Sequence, residues 1–321
     1  MTETKNIPLF DLAGKRVYVA GHNGMVGAAL VRRLGTESCT ILTVDRATLD
    51  LTRQAETERW LDAAKPDAVI LAAAKVGGIA FNNNHPVDFL SDNLAIALNV
   101  IRASYAAGVK KLLFLGSSCI YPKLAPQPMG EGMLLTGPLE PTNQWYAVAK
   151  IAGIKLVEAF RQQFGVDFVS VMPTNLYGPG DNYHPEHSHV PAALIRRLHD
   201  AKTVGAPTVT VWGTGRPRRE FLAVDDLADA CVFVLKHYSG SKFLNVGTGQ
   251  DITIAEFAQL VADVVGYRGR FVFDISRPDG APQKLLNVSE LTRLGWHAKT
   301  RLREGIAAAY ADFLASGGHP S

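Results

Sequence analysis

A chain of 321 residues with 47% hydrophobic and 20% charged side chains can fill one large core or two interleaved lobes, which excludes a disordered polymer. A formal charge of +3 without any run of Lys and Arg excludes a nucleic-acid arm and leaves basic sites local. Three cysteines, Cys39, Cys119 and Cys231, are odd in number and lack CxxC spacing, so neither a disulfide framework nor a metal site is expected.

The opening MTETKNIPLFDLAGK lacks the continuous apolar segment of a secretory signal, and no stretch reaches the ~20 apolar residues of a membrane span, so the cytoplasm is the expected location. Short β-branched runs then alternate with helical patterns. RVYVAG precedes a helix near 25–35, and TILTVD and DAVILAAA precede one near 91–107. KLLFLGSS is followed by a helix from about 144 to 164 and by DFVSVM. This alternation predicts an α/β fold: a Rossmann-like doubly wound parallel sheet with helices on both faces.

After Met172 the segment PTNLYGPGDNYHPEHSH is rich in Pro, Gly, Asn and His, and is expected to form a loop that builds a site. A helix near 190–201, the strand TVTVW, a basic loop GTGRPRRE and FLAVDD follow. Asp225 and Asp226 suit the N-terminus of the next helix, where they meet unpaired N–H groups. The last helix is expected near 304–315. A smaller interleaved α+β substrate-binding lobe is expected over about 177–216 and 247–321, with 1–176 and about 217–246 forming the dinucleotide-binding lobe.

Between the first strand and first helix lies GHNGMVG. Gly21, Gly24 and Gly27 allow a tight turn, close approach to a pyrophosphate, and close helix packing; His22, Asn23, Met25 and Val26 complete the turn. Asp45, closing the second strand, suits the ribose of NAD, whereas Arg46 suits the extra phosphate of NADP. Both readings stay open.

Tyr146 and Lys150 lie four apart, on one helix face. An ammonium near a phenol favours the phenolate, lowering a pKa of ~10. Together with the glycine turn and the strand-end pair Ser117 and Ser118, this set resembles the extended short-chain dehydrogenase/reductase family, in which Ser, Tyr and Lys act beside a nicotinamide. The resemblance narrows through LAAAKVGGI (71–79), LGSSCIYPKLAPQPM (115–129), EPTNQWYAVAKIAGIKL (140–156), VMPTNLYGPGDN (171–182), HSHV (187–190) and RREFLAVDD (218–226) to the branch that acts on GDP-4-keto sugars.

What that resemblance implies is a two-stage reaction: GDP-4-keto-6-deoxy-D-mannose is epimerised at C3 and C5, and its C4 ketone is then reduced by NADPH, with NAD as the other cofactor. Both protons are α to the ketone, so donors such as Ser117 and Tyr146 stabilise the oxygen in either step. By resemblance Cys119 is the base, His189 the acid, and Tyr146 the proton donor in the reduction. Ser117 is preferred to Ser118 because it lies four residues before Tyr121, as in the related SSxxVYG pattern.

The same resemblance assigns cofactor contacts to Leu115, Gly116, Ser117, Ser118, Lys150, Pro173, Thr174, Asn175, Leu176 and His189. It assigns the GDP portion to Arg197, Trp212, Arg219 and Asp279, where arginine suits a diphosphate and Trp a flat ring. It also implies a homodimer through the helix bearing Tyr146. His184, His187 and His189 have mixed spacing, and no metal is expected.

Besides the acid, Asp45, before Arg46, four residues depart from the pattern. Asn23 stands where relatives carry Arg, Ala223 replaces a His in FLHVDD, and Gln144 with Trp145 replaces Glu-Pro. The rivals are an enzyme for another GDP-4-keto sugar, such as a dideoxy sugar or heptose, and a non-catalytic dinucleotide sensor, which has no need of Ser117, Tyr146 and Lys150 together.

Overall fold

Apolar residues in the first strands alternate between two packing partners, and this alternation builds the molecule's central layer. The structure, a computed structural model, describes residues 8–185, 188–277 and 279–317. Its first half runs β1 (Arg16–Ala20), α1 (Met25–Leu34), β2 (Thr40–Leu42), α2 (Gln54–Ala64), β3 (Ala68–Leu71), α3 (Ile79–Asn84), α4 (Pro86–Ala106), β4 (Lys111–Leu115), α5 (Gln144–Phe164) and β5 (Asp167–Pro173). Next come β6 (Asn175–Tyr177), α6 (Val190–Thr203), β7 (Thr208–Trp212), β8 (Arg218–Ala223), α7 (Val224–His237) and β9 (Leu244–Val246). The chain ends with β10 (Asp251–Thr253), α8 (Ile254–Val265), β11 (Arg270–Asp274), β12 (Gln283–Lys284), α9 (Ser289–Arg293) and α10 (Leu302–Ala315).

Six strands pair in the order β2-β1-β3-β4-β5-β9, every pairing parallel. Val17, Val19, Ala68, Ile70, Leu113 and Val169 feed one core, under α1 and α7. Tyr18, Ala20, Val69, Leu71, Leu112 and Phe114 feed the other, under α4 and α5. This is what successive strand residues pointing to opposite faces must do when both faces are covered. The order reverses at β1, so the carboxyl ends of β1 and β3 flank the crevice where doubly wound sheets bind ligands.

A third core, around Tyr177, Tyr183, Leu198, Phe221, Phe257 and Phe313, gathers α6, α8 and α10 over a second set of strands. There β8 sits between β10 and β12, β6 pairs with β8, and β11 pairs with β7. The α/β fold with a smaller mixed lobe is therefore as expected. The segment 218–223 lies in this second sheet, while α7, which follows it directly, packs on α1. Leu291 and Trp296, late in the chain, join the first core.

Several boundaries differ from the expectations. β2 stops at Leu42, leaving Asp45 three residues past its paired end. α4 begins at Pro86 rather than near 91, because proline, lacking an N–H, suits the first helical turn. The loop expected after Met172 opens with β6, and Arg218 and Arg219 of the expected basic loop are strand residues of β8. α5 has its expected limits: Gly165, at φ +67, takes the left-handed conformation that ends a helix. α2 and α8 went unread, although Thr253 and Glu256 form a capping box at the start of α8.

Candidate active site

The turn after β1 is shaped by contacts that only glycine permits. Gly21 has φ +88, and a Cβ there would lie 2.7 Å from the backbone of Ala73, just beyond β3. A Cβ on Gly27 would lie 2.0 Å from the Gly21 carbonyl oxygen, so α1 can press against the turn only without a side chain. Gly24 is the N-cap of α1, and no acidic residue occupies the first turn. Open N–H groups, the positive dipole end and a glycine-lined cradle fit a pyrophosphate. At its rim, Asn23 Nδ2 donates to Asp45 Oδ1 at 2.7 Å, and His22 Nε2 lies 3.4 Å from the same oxygen. Arg46 follows, exposed.

β4 ends at Leu115, and Ser118–Ile120 forms a single 3-10 turn capped by Ser117, whose Oγ accepts from the Cys119 N–H at 3.4 Å. Ser118 and Cys119 are buried, Ser117 only partly so. Tyr121 anchors the far side, donating its hydroxyl proton to Asn245 Oδ1 at 2.5 Å. Gly116 is held by its N–H to the Val171 carbonyl at 2.8 Å, and a Cβ there would meet Met172 sulfur at 2.2 Å. The strand end is thus fixed while Ser117 stays accessible.

Tyr146 and Lys150 project from the first turns of α5 toward this strand end. Lys150 is buried; its Nζ donates to the Leu115 carbonyl at 2.8 Å and lies 5.6 Å from the Tyr146 ring centre and 5.0 Å from that of Phe114. Burial draws its pKa down to about 8. Burial, with the nearby Cys119, pushes the Tyr146 phenol up. The expectation that Lys150 lowers the phenol is therefore not met by the protein groups alone: desolvation and Cys119 raise it, while the ammonium is committed to the Leu115 carbonyl. Burial likewise pushes the Cys119 thiol up, opposed by Ser117 and by the charges of Lys284 and Lys150.

His189 is the N-cap residue of α6, and crowding around its ring lowers its pKa although the residue as a whole is exposed. Among the described residues no hydrogen bond ties it to Ser117, Cys119 or Tyr146. His187, part of the HSHV segment, lies outside the described residues. Thr174 and Asn175 reach the Glu220 carbonyl through Oγ1 and Nδ2, at 3.3 and 2.9 Å, which fixes the backbone from Pro173 to Leu176 beside β8.

In the second lobe, Trp212 closes β7 and is 55% exposed, so it is not a core residue. The guanidinium of Arg197 lies 5.3 Å from one of its ring centres and that of Arg277 5.1 Å. Arg197, Asp200, Val209, Thr210 and Trp212 line an open cavity of about 360 Å³. Asp279 accepts from the Thr214 N–H at 2.7 Å and from its hydroxyl at 2.8 Å, which pins the loop before β8. Arg219 sits in β8 opposite Lys284 of β12.

Lys284 and Arg277 were missed. Neither belongs to a motif, and Lys284 reaches the Cys119 neighbourhood only because β12 pairs beside β8. Glu220 was quoted only within RREFLAVDD. It is fully buried, its carboxylate accepting from the N–H groups of Thr248, Gly249 and Leu286 at 2.6, 2.7 and 2.9 Å. Among the described residues no helix is long and apolar enough to cross a membrane.

Residues 17–247 match the model of the NAD dependent epimerase/dehydratase family. The chain is 56% identical over 317 residues to GDP-L-fucose synthase 1 of Arabidopsis thaliana, covering 98% of each chain. A GDP-L-fucose synthetase from Naegleria fowleri, solved bound to NADP, superposes with a TM-score of 0.90 at 27% identity, covering 100% of this chain and 99% of that one. A GDP-6-OMe-4-keto-L-xylo-heptose reductase from C. jejuni superposes with a TM-score of 0.89 at 33% identity, covering 94% and 98%.

Proposed function

This chain belongs to the NAD dependent epimerase/dehydratase family, and we propose that it converts GDP-4-keto-6-deoxy-D-mannose to GDP-L-fucose, by epimerisation at C3 and C5 followed by NADP-dependent reduction at C4. The observation that carries this reading is the placement of a buried thiol, Cys119, in the turn that Ser117 caps and within reach of the charges of Lys150 and Lys284. A reductase alone has no use for a second proton-transfer group there.

Ser117 and Tyr146 hold the C4 oxygen of the sugar. Loss of a proton from C3 or C5 places negative charge on that oxygen, and two fixed donors stabilise it. Cys119 removes the proton, and His189 returns one to the opposite face. A thiol held above its ordinary value is a strong base once ionised, and the hydrogen bond to Ser117 and the charges of Lys284 and Lys150 oppose part of that rise.

NADPH, when bound in the glycine cradle, supplies the hydride. Tyr146 delivers its proton to the C4 oxygen as the ketone is reduced, and Lys150 keeps the strand end and the phenol in register through Leu115. Leu115, Gly116, Ser118 and the segment Pro173 to Leu176 line the nicotinamide end. Arg197, Trp212, Arg219 and Asp279 hold the GDP portion, with Arg277 on a Trp212 ring. The separate cores support two lobes, with limits of 1–176 and about 217–246 for one and about 177–216 and 247–321 for the other departing from them at two places: Phe221 and Ala223 of β8 pack in the third core, and Leu286, Leu291 and Trp296 pack in the first two. The described residues carry three free cysteines, which suits the cytoplasm. Exposed apolar residues on α4 and α5, among them Leu98, Val148 and Phe164, suit a homodimer, which light scattering tests.

The test is an NMR assay of the product formed from the mannose-derived 4-keto sugar with NADPH. GDP-L-fucose is expected. A heptose ketone reduced in preference to it would support the second reading, which the likeness to the C. jejuni reductase favours.

A further inference from the structure

The middle of β8 holds a carboxylate for which the reaction described above has no use. Glu220 is fully buried, and among the described residues no Lys or Arg pairs with it. Burying an unpaired ion is unfavourable, and here three backbone N–H groups stabilise it instead. Oε1 accepts from Thr248 and Gly249, in the turn after β9, at 2.6 and 2.7 Å, and Oε2 accepts from Leu286, just past β12, at 2.9 Å. The two oxygens therefore serve different sheets, since β9 is an edge strand of the first and β12 of the second. The fit is close: a Cβ on Gly247 would lie 2.3 Å from Oε1.

The bond to Leu286 bears on Lys284. β12 is only two residues long, and it pairs with Arg218 and Arg219 alone. Among the described residues the Lys284 ammonium makes no hydrogen bond or ion pair, yet it lies close enough to Cys119 for each to feel the other's charge. A flexible four-carbon stem with no partner at its tip is aimed by its backbone. Beyond β12 that backbone is held by Gln127 and Met129, which bond Leu285 and Asn287, and by Glu220, which bonds Leu286. Of these only Glu220 belongs to the strand beside Lys284, so it fixes the spacing between Lys284 and β8.

Resting on the epimerase reading above, we propose that Glu220 is a positioning residue for the epimerisations, holding Lys284 beside Cys119 so that the ammonium favours the thiolate that takes the C3 and C5 protons. It touches neither sugar nor dinucleotide. Its backbone carbonyl, which binds Thr174 and Asn175, is unaffected by a change of side chain, so substitution isolates the carboxylate.

Glu220→Gln keeps the shape but turns one acceptor oxygen into an NH₂ group, so the Thr248 turn and Leu286 are no longer both held. Solvent-deuterium incorporation at C3 and C5, read by NMR, should slow by about tenfold in Glu220→Gln and in Lys284→Met. Because one residue acts through the other, the double variant should lie within about threefold of Lys284→Met. A slower double variant overturns the proposal, as does normal exchange in either single variant. Labelling of Cys119 by iodoacetamide, placed by mass spectrometry, needs no sugar. A thiol deprived of Lys284 should label more slowly, by about threefold or more, whereas packing merely loosened at Glu220 would speed labelling and overturn the proposal. Gly247→Ala, whose methyl displaces Oε1 without removing the carboxylate, should slow both readouts likewise and carries the test if Glu220→Gln does not fold. Slower labelling in the variants without any exchange in the wild type sinks the epimerase reading and keeps Glu220 as the holder of Lys284. Losses that multiply, with normal exchange in the wild type, sink this proposal alone.

Discussion

Lys150 donates a 2.8 Å hydrogen bond to the carbonyl oxygen of Leu115, the last residue of β4. That bond ties the helix carrying Tyr146 to the strand end carrying Ser117 and Cys119, so these three groups share one rigid mount. Replacing Tyr146 with Phe keeps the ring and removes the proton donor. Reduction should fall by about 10²- to 10⁴-fold, followed as loss of dihydronicotinamide absorbance, while dinucleotide binding is retained.

Cys119→Ser separates the two stages. The variant should lose solvent-deuterium incorporation at C3 and C5, read by NMR, by about a hundredfold or more. Normal exchange in this variant would remove Cys119 as the base.

Lys150 also sets a pH signature. Its folded pKa of about 8 lies below the ordinary 10.5, so between those values the unfolded chain holds a proton that the native state has released. Native stability from this group therefore rises with pH across that window, and its cost is full below about 8. Lys150→Met should flatten this rise and stabilise the protein at neutral pH by up to about 3 kcal/mol, while reduction is lost. Thermal melts across the window, paired with the reductase assay, check both halves.

Asp181 gives the opposite slope. Buried in the loop before α6, with Asp312 nearby, its carboxyl is raised from 3.8 to about 7. Between those values the native state keeps a proton that the unfolded chain has lost, so stability falls as pH rises. Asp181→Asn preserves the acceptor for the Asn182 N–H, 2.7 Å away, and cannot ionise. It should raise the melting temperature above neutral pH, by the equivalent of about 2–4 kcal/mol, and change it little near the lower end of the window.

Gly27→Ala tests the cradle. The added methyl would meet the Gly21 carbonyl at 2.0 Å, backbone against backbone, so α1 must shift away from the turn. Dinucleotide affinity should fall by about tenfold or more in calorimetry, with GDP binding unaffected.

Local pattern was enough for the elements that carry the chemistry. The period-2 strands, the glycine turn after β1 and the YxxxK helix are each written in consecutive residues, because strand pleat, tight turns and helical spacing depend on near neighbours. α5 was readable to its last residue for that reason, since Gly165 ends it locally. The limits of β2 and α4 were not, because strand pairing and a proline-initiated first turn set them.

The sequence by itself determined the fold class, the cofactor turn and the residue types of the reacting set. Only the tertiary structure decided that Lys284 stands near Cys119, that Arg277 joins Arg197 at Trp212, and that Asn23 holds Asp45. These pairings join residues from 15 to 165 positions apart, and no local rule encodes them. They arise when the strands of two sheets close into register. The same packing reversed the expected sign of the Tyr146 shift, because burial, the largest cause of that shift, is a property of the whole fold.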